Sequence, residues 1–166
     1  EMVQLWVNLP AKDKSTAAHY QGITADQMGK VQLPEDSGIV NVIAGVFQDT
    51  QGPAETYTAV NLFDIKLKKG HQTTFSVPQH HNSAILVVNG EAEVNGQLAK
   101  EHNFVLFEND GEEIVIKANE QAVLLFMSGE PIDEPIVSYG PFVMNTQEEI
   151  YQAFEDFQAG KFGTLE

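Results

Sequence analysis

The sequence predicts an all-β fold, an antiparallel sandwich or barrel, with one amphipathic helix near its C-terminal end. Short apolar segments recur through the middle of the chain and are separated by glycine- and asparagine-containing turns, the pattern of such folds. Toward the C-terminal end the apolar residues change to helical spacing. At 166 residues the chain is long enough for one domain with a core of its own.

The predicted strands follow from local patterns. Segment 38–47 is apolar and β-branched, and a turn-rich stretch around Gly52-Pro53 follows it. Phe63, Ile65 and Leu67 alternate with charged residues, as in a strand with one buried face. Further strands are predicted at 84–88, 91–94, 103–107, 112–118 and 122–129.

Two Asn-Gly pairs, Asn89-Gly90 and Asn95-Gly96, separate the short strands in the middle of the chain. Both residue types tolerate the positive φ of a type I′ turn, so each pair predicts a β-hairpin.

The C-terminal helix is predicted from its cap and its apolar face. Thr146 and Glu149 have the spacing of a capping box, in which each side chain accepts a hydrogen bond from an unpaired backbone N–H. Gly160 supplies a stop signal, which gives a helix of about 14 residues. The apolar face consists of Ile150, Ala153, Phe154 and Phe157.

The amino-acid composition excludes or disfavours several kinds of binding partner and chemistry. Acidic residues number 24 against 9 basic ones, for a net charge of −15, which disfavours nucleic acid and an anionic membrane surface. No apolar run approaches the ~18 residues of a membrane span. The chain has no cysteine, so disulfides and thiolate chemistry are excluded. A cytoplasmic location is the expectation.

The first ten residues, EMVQLWVNLP, are apolar and strand-like and include the only tryptophan, Trp6. Chain ends are normally polar and frayed. We therefore expect an edge strand here whose partner lies in a preceding portion that this chain lacks.

Adjacent histidines, His80 and His81, raise the question of a metal site. On a strand their imidazoles would point to opposite sides, whereas chelation needs an i, i+2 spacing. In a loop one of them could serve, but only with partners such as His71, His102 or His19. The prediction is that these are turn and surface histidines, and that the chain holds no metal-binding, cofactor-binding or catalytic residue.

Other candidates for chemistry are also weak. Ser76, Ser83 and Ser128 lack the context of a nucleophile elbow. Glu91 and Glu93 share one face by their i, i+2 spacing, and a solvated edge strand explains them better than a glycosidase pair.

Two stretches together resemble the pirin family: MVQLWVNLPAKDK at 2–14, followed by Tyr20-Gln21, and GPFVMNTQEEIYQAFEDFQAGKFG at 140–163. Pirins are bicupins, with two β-barrels of the double-stranded β-helix (jelly-roll) type. The resemblance implies a C-terminal cupin barrel of antiparallel strands, followed by the amphipathic helix.

The same resemblance implies a division of the chain into three parts. Residues 1–14 would be a strand and linker from a preceding N-terminal barrel, and residues 15–140 would be the C-terminal cupin barrel. Residues 141–166 would be a helical segment that packs between the barrels.

In the resembled family the metal, Fe²⁺ or another divalent transition metal, is held by three histidines and a glutamate of the N-terminal barrel, and none of these ligands maps onto this chain. The resemblance places the stretch QHHNSAILVVNG, residues 79–90, at the first cupin motif of the second barrel. The family's glutamate falls near Ser83, and its histidines fall near Val77 and Gln79. Residues 122–125 fill the second motif without a histidine.

Two functional hypotheses follow. In the first, the chain is the inactive C-terminal barrel of a metal-dependent pirin of the quercetin 2,3-dioxygenase type, and it supports the metal-binding barrel. In the second, it is an interaction module that docks on a partner protein. The expected partners are the N-terminal barrel, a second copy of the chain, or another protein.

Overall fold

The computed structural model describes residues 2–163, which contain short strands, one α-helix and two 3₁₀ turns, at Ala11–Asp13 and Pro34–Asp36. The helix is not long and apolar enough to cross a membrane. The elements are β1 (Gly29–Gln32), β2 (Gly38–Ala44), β3 (Val46–Phe47), β4 (Thr50–Gln51), β5 (Val60–Leu67), β6 (Gln72–Ser76), β7 (Asn82–Asn89), β8 (Glu91–Val94), β9 (Gln97–Lys100), β10 (Phe104–Leu106), β11 (Glu113–Ala118), β12 (Ala122–Gly129), β13 (Val137–Tyr139), β14 (Phe142–Met144) and α1 (Gln147–Gln158).

The chain divides into two compact units. Residues 19–131 form the first, called here the barrel unit. The described parts of the stretches 1–18 and 132–166 together form the second, called the terminal unit. These limits differ from the predicted ones, which fell after residues 14 and 140.

The barrel unit is built from two antiparallel sheets that share one core. The larger sheet has the order β1-β2-β5-β12-β7-β10, and the smaller one has the order β6-β11-β8-β9. Burial alternates along β12 and along the C-terminal half of β5, as the period-2 pattern predicts. The buried cluster takes residues from both sheets, so the architecture is a jelly roll with its apolar faces turned inward.

Only one of the two predicted Asn-Gly hairpins exists. Asn95 and Gly96 both have positive φ, and they connect β8 to β9 as paired strands. Asn89-Gly90 instead joins strands of different sheets, so the hairpin prediction is wrong there. Gly90 also has positive φ, and a Cβ at this position would clash with the carbonyl oxygen of Gln121. The positive φ of Gly90 and Gly96 was predicted correctly from the sequence. Which strands pair on either side of each turn depends on the packing of the whole domain.

The terminal unit contains a hairpin of β13 and β14 and the helix α1. The capping box is confirmed: the Thr146 hydroxyl accepts from the Glu149 backbone N–H, and the Glu149 carboxylate accepts from the Thr146 N–H at 2.9 Å. Of the predicted apolar face, Ile150 and Ala153 are buried, while Phe157 is 63% exposed.

The predicted N-terminal strand is not present. Residues 2–10 lie in no helix or strand, and Trp6 is 77% exposed. A β-strand needs the backbone hydrogen bonds of a neighbour, and no described strand pairs with this segment. Two contacts hold the following residues within the terminal unit: the Ala11 N–H donates to Glu134 Oε2 at 2.7 Å, and Lys14 Nζ donates to the carbonyl oxygen of Val143 at 3.0 Å.

Candidate functional site

The adjacent histidines lie in a turn immediately before β7, where the His81 N–H donates to the carbonyl oxygen of Pro78 at 2.9 Å. Their rings meet edge to face, with centroids 4.9 Å apart. His80 is exposed, as predicted, but His81 is only 7% exposed. The prediction of a surface histidine is therefore wrong for His81.

His81 is buried because it is paired with a serine. Its Nδ1 lies 2.9 Å from Ser128 Oγ, at hydrogen-bond distance, and Ser128 is 3% exposed. Ser128 lies opposite Ser83 across the β12–β7 ladder, and Ser83 is 4% exposed. Within residues 2–163, Ser83 Oγ is buried without a hydrogen-bond partner.

Sequence reasoning missed this cluster, although a signal for it was present. Leu124 and Phe126 face the core, and Ser128 is the next residue at the same i, i+2 spacing. A hydroxyl at an inward position must find a partner or lose free energy. The alternation of residues along β12 therefore identifies Ser128 as a buried polar residue, and His81 is its hydrogen-bond partner.

The electrostatics favour a neutral imidazole. Burial is the main cause that lowers the pKa of His81; the neighbouring His80 lowers it further, and Glu130 opposes the shift. A histidine–serine pair is also an element of nucleophilic catalysis. Here both side chains are covered, and the adjoining cavity of about 40 Å³ holds water-sized groups rather than a substrate. The pair acts as a tie between the start of β7 and the end of β12.

The remaining histidines do not assemble into a metal site. His102 is exposed beside Glu101, with 3.7 Å between Nε2 and Oε1, and His19 is also exposed. His71 is half-buried in the turn after β5. Throughout the described chain, no group of three or more histidine or acidic side chains could hold a metal ion.

The other predicted candidates also occupy separate places. Ser76 is exposed on β6. Glu91 and Glu93 lie on β8, which pairs with β11 on one side and β9 on the other, so the prediction of an edge strand is wrong. Glu93 forms an ion pair with Lys117 at 3.7 Å, consistent with a surface role.

The interior of the barrel unit is filled by an aromatic cluster of Phe47, Phe63, Phe75 and Phe126. Neighbouring ring centroids are 4.9 to 6.1 Å apart, and Phe126 stacks on both Phe63 and Phe75. Rings at these separations are in van der Waals contact, so this part of the core is closely packed.

The residues near which the pirin resemblance places the cupin ligands lack the side chains that bind a transition metal. Val77 is apolar and buried, Gln79 is an exposed amide, and Ser83 is a buried hydroxyl. Imidazole and carboxylate are the side chains that hold such metals in oxygenase sites. In the second motif region Ala122 and Leu124 are fully buried apolar residues. These residues do not fit a bound iron or nickel ion.

A larger groove of about 830 Å³ lies within the terminal unit. One wall is the α1 stripe of Glu149, Gln152, Ala153 and Asp156, and the facing wall includes Lys14 to Ala18. The charges along it are satisfied internally. Asp156 Oδ1 accepts from Lys161 Nζ at 2.6 Å, and Lys14 Nζ donates to Asn8 Oδ1 at 2.7 Å. The charged side chains along the groove are therefore held by hydrogen bonds within the terminal unit.

The two-sheet jelly roll with its shared apolar core defines a cupin-type barrel. Residues 62–163 match the family described as the pirin C-terminal cupin domain. The chain belongs to the pirin family.

Several proteins are similar in sequence to this chain over nearly its whole length. It is 42% identical over 162 residues to a Pseudomonas aeruginosa protein named "Putative quercetin 2,3-dioxygenase", covering 98% of this chain and 57% of that protein. It is 34% identical to the mouse protein named Pirin, covering 97% of this chain and 57% of that one. The chain thus spans a little over half the length of these relatives.

A crystal structure of quercetin 2,3-dioxygenase from Acinetobacter baumannii shows the same fold. It superposes with a TM-score of 0.90 at 38% identity, over 97% of this chain and 56% of the other. The likeness includes the regions outside the barrel strands, because 97% coverage leaves few residues unmatched.

Proposed function

We propose that this chain supplies a structural cupin barrel to a pirin, and that it performs no oxygenase chemistry itself. The dioxygenase reaction for which the relatives are named would take place in the part of those proteins that this chain does not match. A divalent transition metal such as Fe²⁺, bound there, would activate the flavonol or dioxygen. Location in the cytoplasm is part of the same proposal.

The filled interior carries this proposal. Four phenylalanine rings pack against one another in the core of the barrel unit, and the positions near which the pirin resemblance places cupin ligands hold valine, glutamine and serine. A packed aromatic core stabilises a barrel, because each ring buries a large apolar area. Opening space for a flavonol would require the loss of these contacts.

The test compares this chain with the full-length Pseudomonas relative and with the segment of that relative that matches this chain. After dialysis and addition of Fe²⁺, metal content is measured by elemental analysis and quercetin oxidation by oxygen uptake. We expect turnover by the full-length relative only. Oxygen uptake by this chain above the buffer rate would contradict the structural role. An inactive full-length relative would instead contradict the assigned reaction.

The partner in this proposal is a neighbouring barrel or a second copy of the chain. The terminal unit presents a large apolar surface on its N-terminal segment. Burial of ~800 Å² of such surface, at about 25 cal/mol per Å², would favour association, although lost rotational freedom offsets much of the gain. The most exposed side chains of that segment are Met2, Trp6 and Val7.

Trp6→Lys tests the association. Light scattering coupled to size exclusion should give a mass near twice the monomer for the isolated chain, and the substitution should shift it toward the monomer. Leu98→Lys, at an exposed leucine of the barrel unit, is the matched control and should leave the mass unchanged. A monomeric wild-type chain would contradict self-association, and equal effects of both substitutions would contradict the role of Trp6.

A further inference from the structure

We propose that the turn 77–83 and the loop 107–113 of the barrel unit form a docking site for a lysine side chain of a basic protein segment. The inference is independent of the proposed structural role, because it concerns the outer surface of the barrel rather than its interior. It rests on a small polar cavity, on a group of unpaired carboxylates and on a buried hydroxyl without a partner.

The cavity lies between these two segments and has a volume of about 40 Å³. One water needs about 10–15 Å³ of such space, so the cavity holds one small head group and a water molecule. A wider open depression beside it is lined by Pro78, His80 and Glu112, and the two share Gln79. The polar lining of the small cavity includes Gln79, His81, Ser83, Glu108, Asp110 and Glu113.

The loop 107–113 is strongly acidic, and no cation among the described residues 2–163 forms an ion pair with it. Glu108, Asp110, Glu112 and Glu113 fall within six positions, and all four residues are exposed. None of them forms an ion pair with another residue of the described range. Like charges this close repel one another, so an added cation relieves the repulsion as well as gaining direct attraction.

Ser83 points to a ligand that donates hydrogen bonds. It lies on the wall of the cavity and is 4% exposed, and its Oγ finds no partner among residues 2–163. An unpartnered buried hydroxyl destabilises the folded state, because it has lost its hydrogen bonds to water without replacing them. A donor that enters the cavity and reaches this oxygen would recover part of that cost, whereas an anion would be repelled by the carboxylates around it.

A primary ammonium suits this site better than a metal ion. A divalent metal needs several ligands that converge on one point. No three acidic or histidine side chains of the described chain are arranged in that way. A lysine ammonium is a compact charge with three donors and no acceptor, so one hydroxyl and one or two carboxylates satisfy it. The net charge of −15 would steer a basic segment toward the protein.

The test measures binding of a fluorescein-labelled hexalysine peptide to the 166-residue chain by fluorescence anisotropy at low and at physiological salt. Ser83→Ala leaves the net charge unchanged and should weaken binding about tenfold, the loss expected for a hydrogen bond to a charged group. The combination Glu108→Gln, Asp110→Asn and Glu113→Gln should weaken it further. Thermal unfolding verifies that each variant is folded.

The matched control removes the same number of charges elsewhere on the barrel unit. Glu35→Gln, Asp49→Asn and Glu120→Gln replace exposed carboxylates that do not line the cavity, and this variant should bind within about twofold of the wild type. Equal losses in the two triple variants, with no effect of Ser83→Ala, would overturn the site in favour of general charge attraction.

Two further outcomes would also overturn the proposal. One is no measurable peptide binding at low salt. The other is saturable binding of Ca²⁺ or Zn²⁺ by calorimetry that Ser83→Ala abolishes, together with peptide binding that does not depend on Ser83. Fully acetylated hexalysine should not bind, because it lacks the ammonium groups.

Discussion

The barrel unit and the terminal unit are stabilised in different ways. The barrel unit buries one large apolar cluster between two sheets, and its strands need only alternate apolar and polar residues to build it. The terminal unit buries only two residues of α1, packs Phe142 of β14 against Phe154 and Phe157, and adds directed polar contacts to this small apolar cluster. Many sequences satisfy an alternating pattern, but few place a donor and an acceptor at the required positions.

The polar network of the terminal unit illustrates this dependence. Asn145 Nδ2 donates to Glu134 Oε2 at 2.9 Å and to the carbonyl oxygen of Pro135 at 3.0 Å. The same Glu134 oxygen accepts from the Ala11 N–H, so one carboxylate joins three parts of the chain. The two stretches on which the pirin resemblance was first noted, 2–14 and 140–163, both lie in this unit.

The largest expected effect comes from the aromatic core of the barrel unit. Phe126→Ala removes a fully buried ring that stacks on two others, and should lower the free energy of unfolding by about 3–5 kcal/mol. Phe157→Ala in the terminal unit removes a mostly exposed ring and should cost less than about 1 kcal/mol. Urea denaturation followed by far-UV circular dichroism measures both. If both substitutions lowered the free energy of unfolding by similar amounts, the proposed difference in stabilisation between the two units would be contradicted.

An intermediate effect is expected from the helix cap. Thr146→Ala removes the hydroxyl that accepts from the Glu149 N–H and should destabilise α1 by about 1 kcal/mol. Amide hydrogen exchange should show faster exchange in the first turn of α1, with little change in β5 or β12. Ser138→Ala, at an exposed position of β13, is the control and should leave exchange unchanged. If Thr146→Ala accelerated exchange more in the barrel strands than in α1, a local role of the helix cap would be contradicted.

The smallest expected effect is the pH dependence of the stability that the buried His81–Ser128 hydrogen bond provides. Burial lowers the pKa of His81 in the folded protein below its ordinary value of 6.5, so the unfolded chain binds the proton more readily. The contribution of His81 to stability is therefore full above pH 6.5 and is lost as the pH falls toward the folded-state pKa. Urea denaturation between pH 7.5 and about 5 should show this decline.

His81→Asn should flatten that decline, and Ser128→Ala should lower stability above pH 6.5 by about 1 kcal/mol, the net value of one hydrogen bond. His102→Asn is the control, since His102 is exposed. Two results would contradict the predicted direction of the pH dependence. One is a free energy of unfolding that rises as the pH falls from 7.5 to about 5. The other is a pH dependence of that free energy that His81→Asn leaves unchanged.

Much of the local structure could be predicted from the sequence. The alternation around Phe63, Ile65 and Leu67 identified β5 and its buried face. The Thr146–Glu149 pair identified the start of α1, because a capping box is complete within four residues. The positive φ at Gly90 and Gly96 followed from their residue type. Each of these properties is decided by residues close together in the chain.

The tertiary structure decided what these elements contact. It placed β7 and β8 in different sheets, left residues 2–10 without a strand partner, and paired His81 with Ser128, 47 positions away. Local pattern determines backbone preference and the face to be buried, whereas strand partners and buried polar pairs depend on which distant segments meet. The same alternating sequence can pair with several neighbours, and only the packing of the complete core selects one.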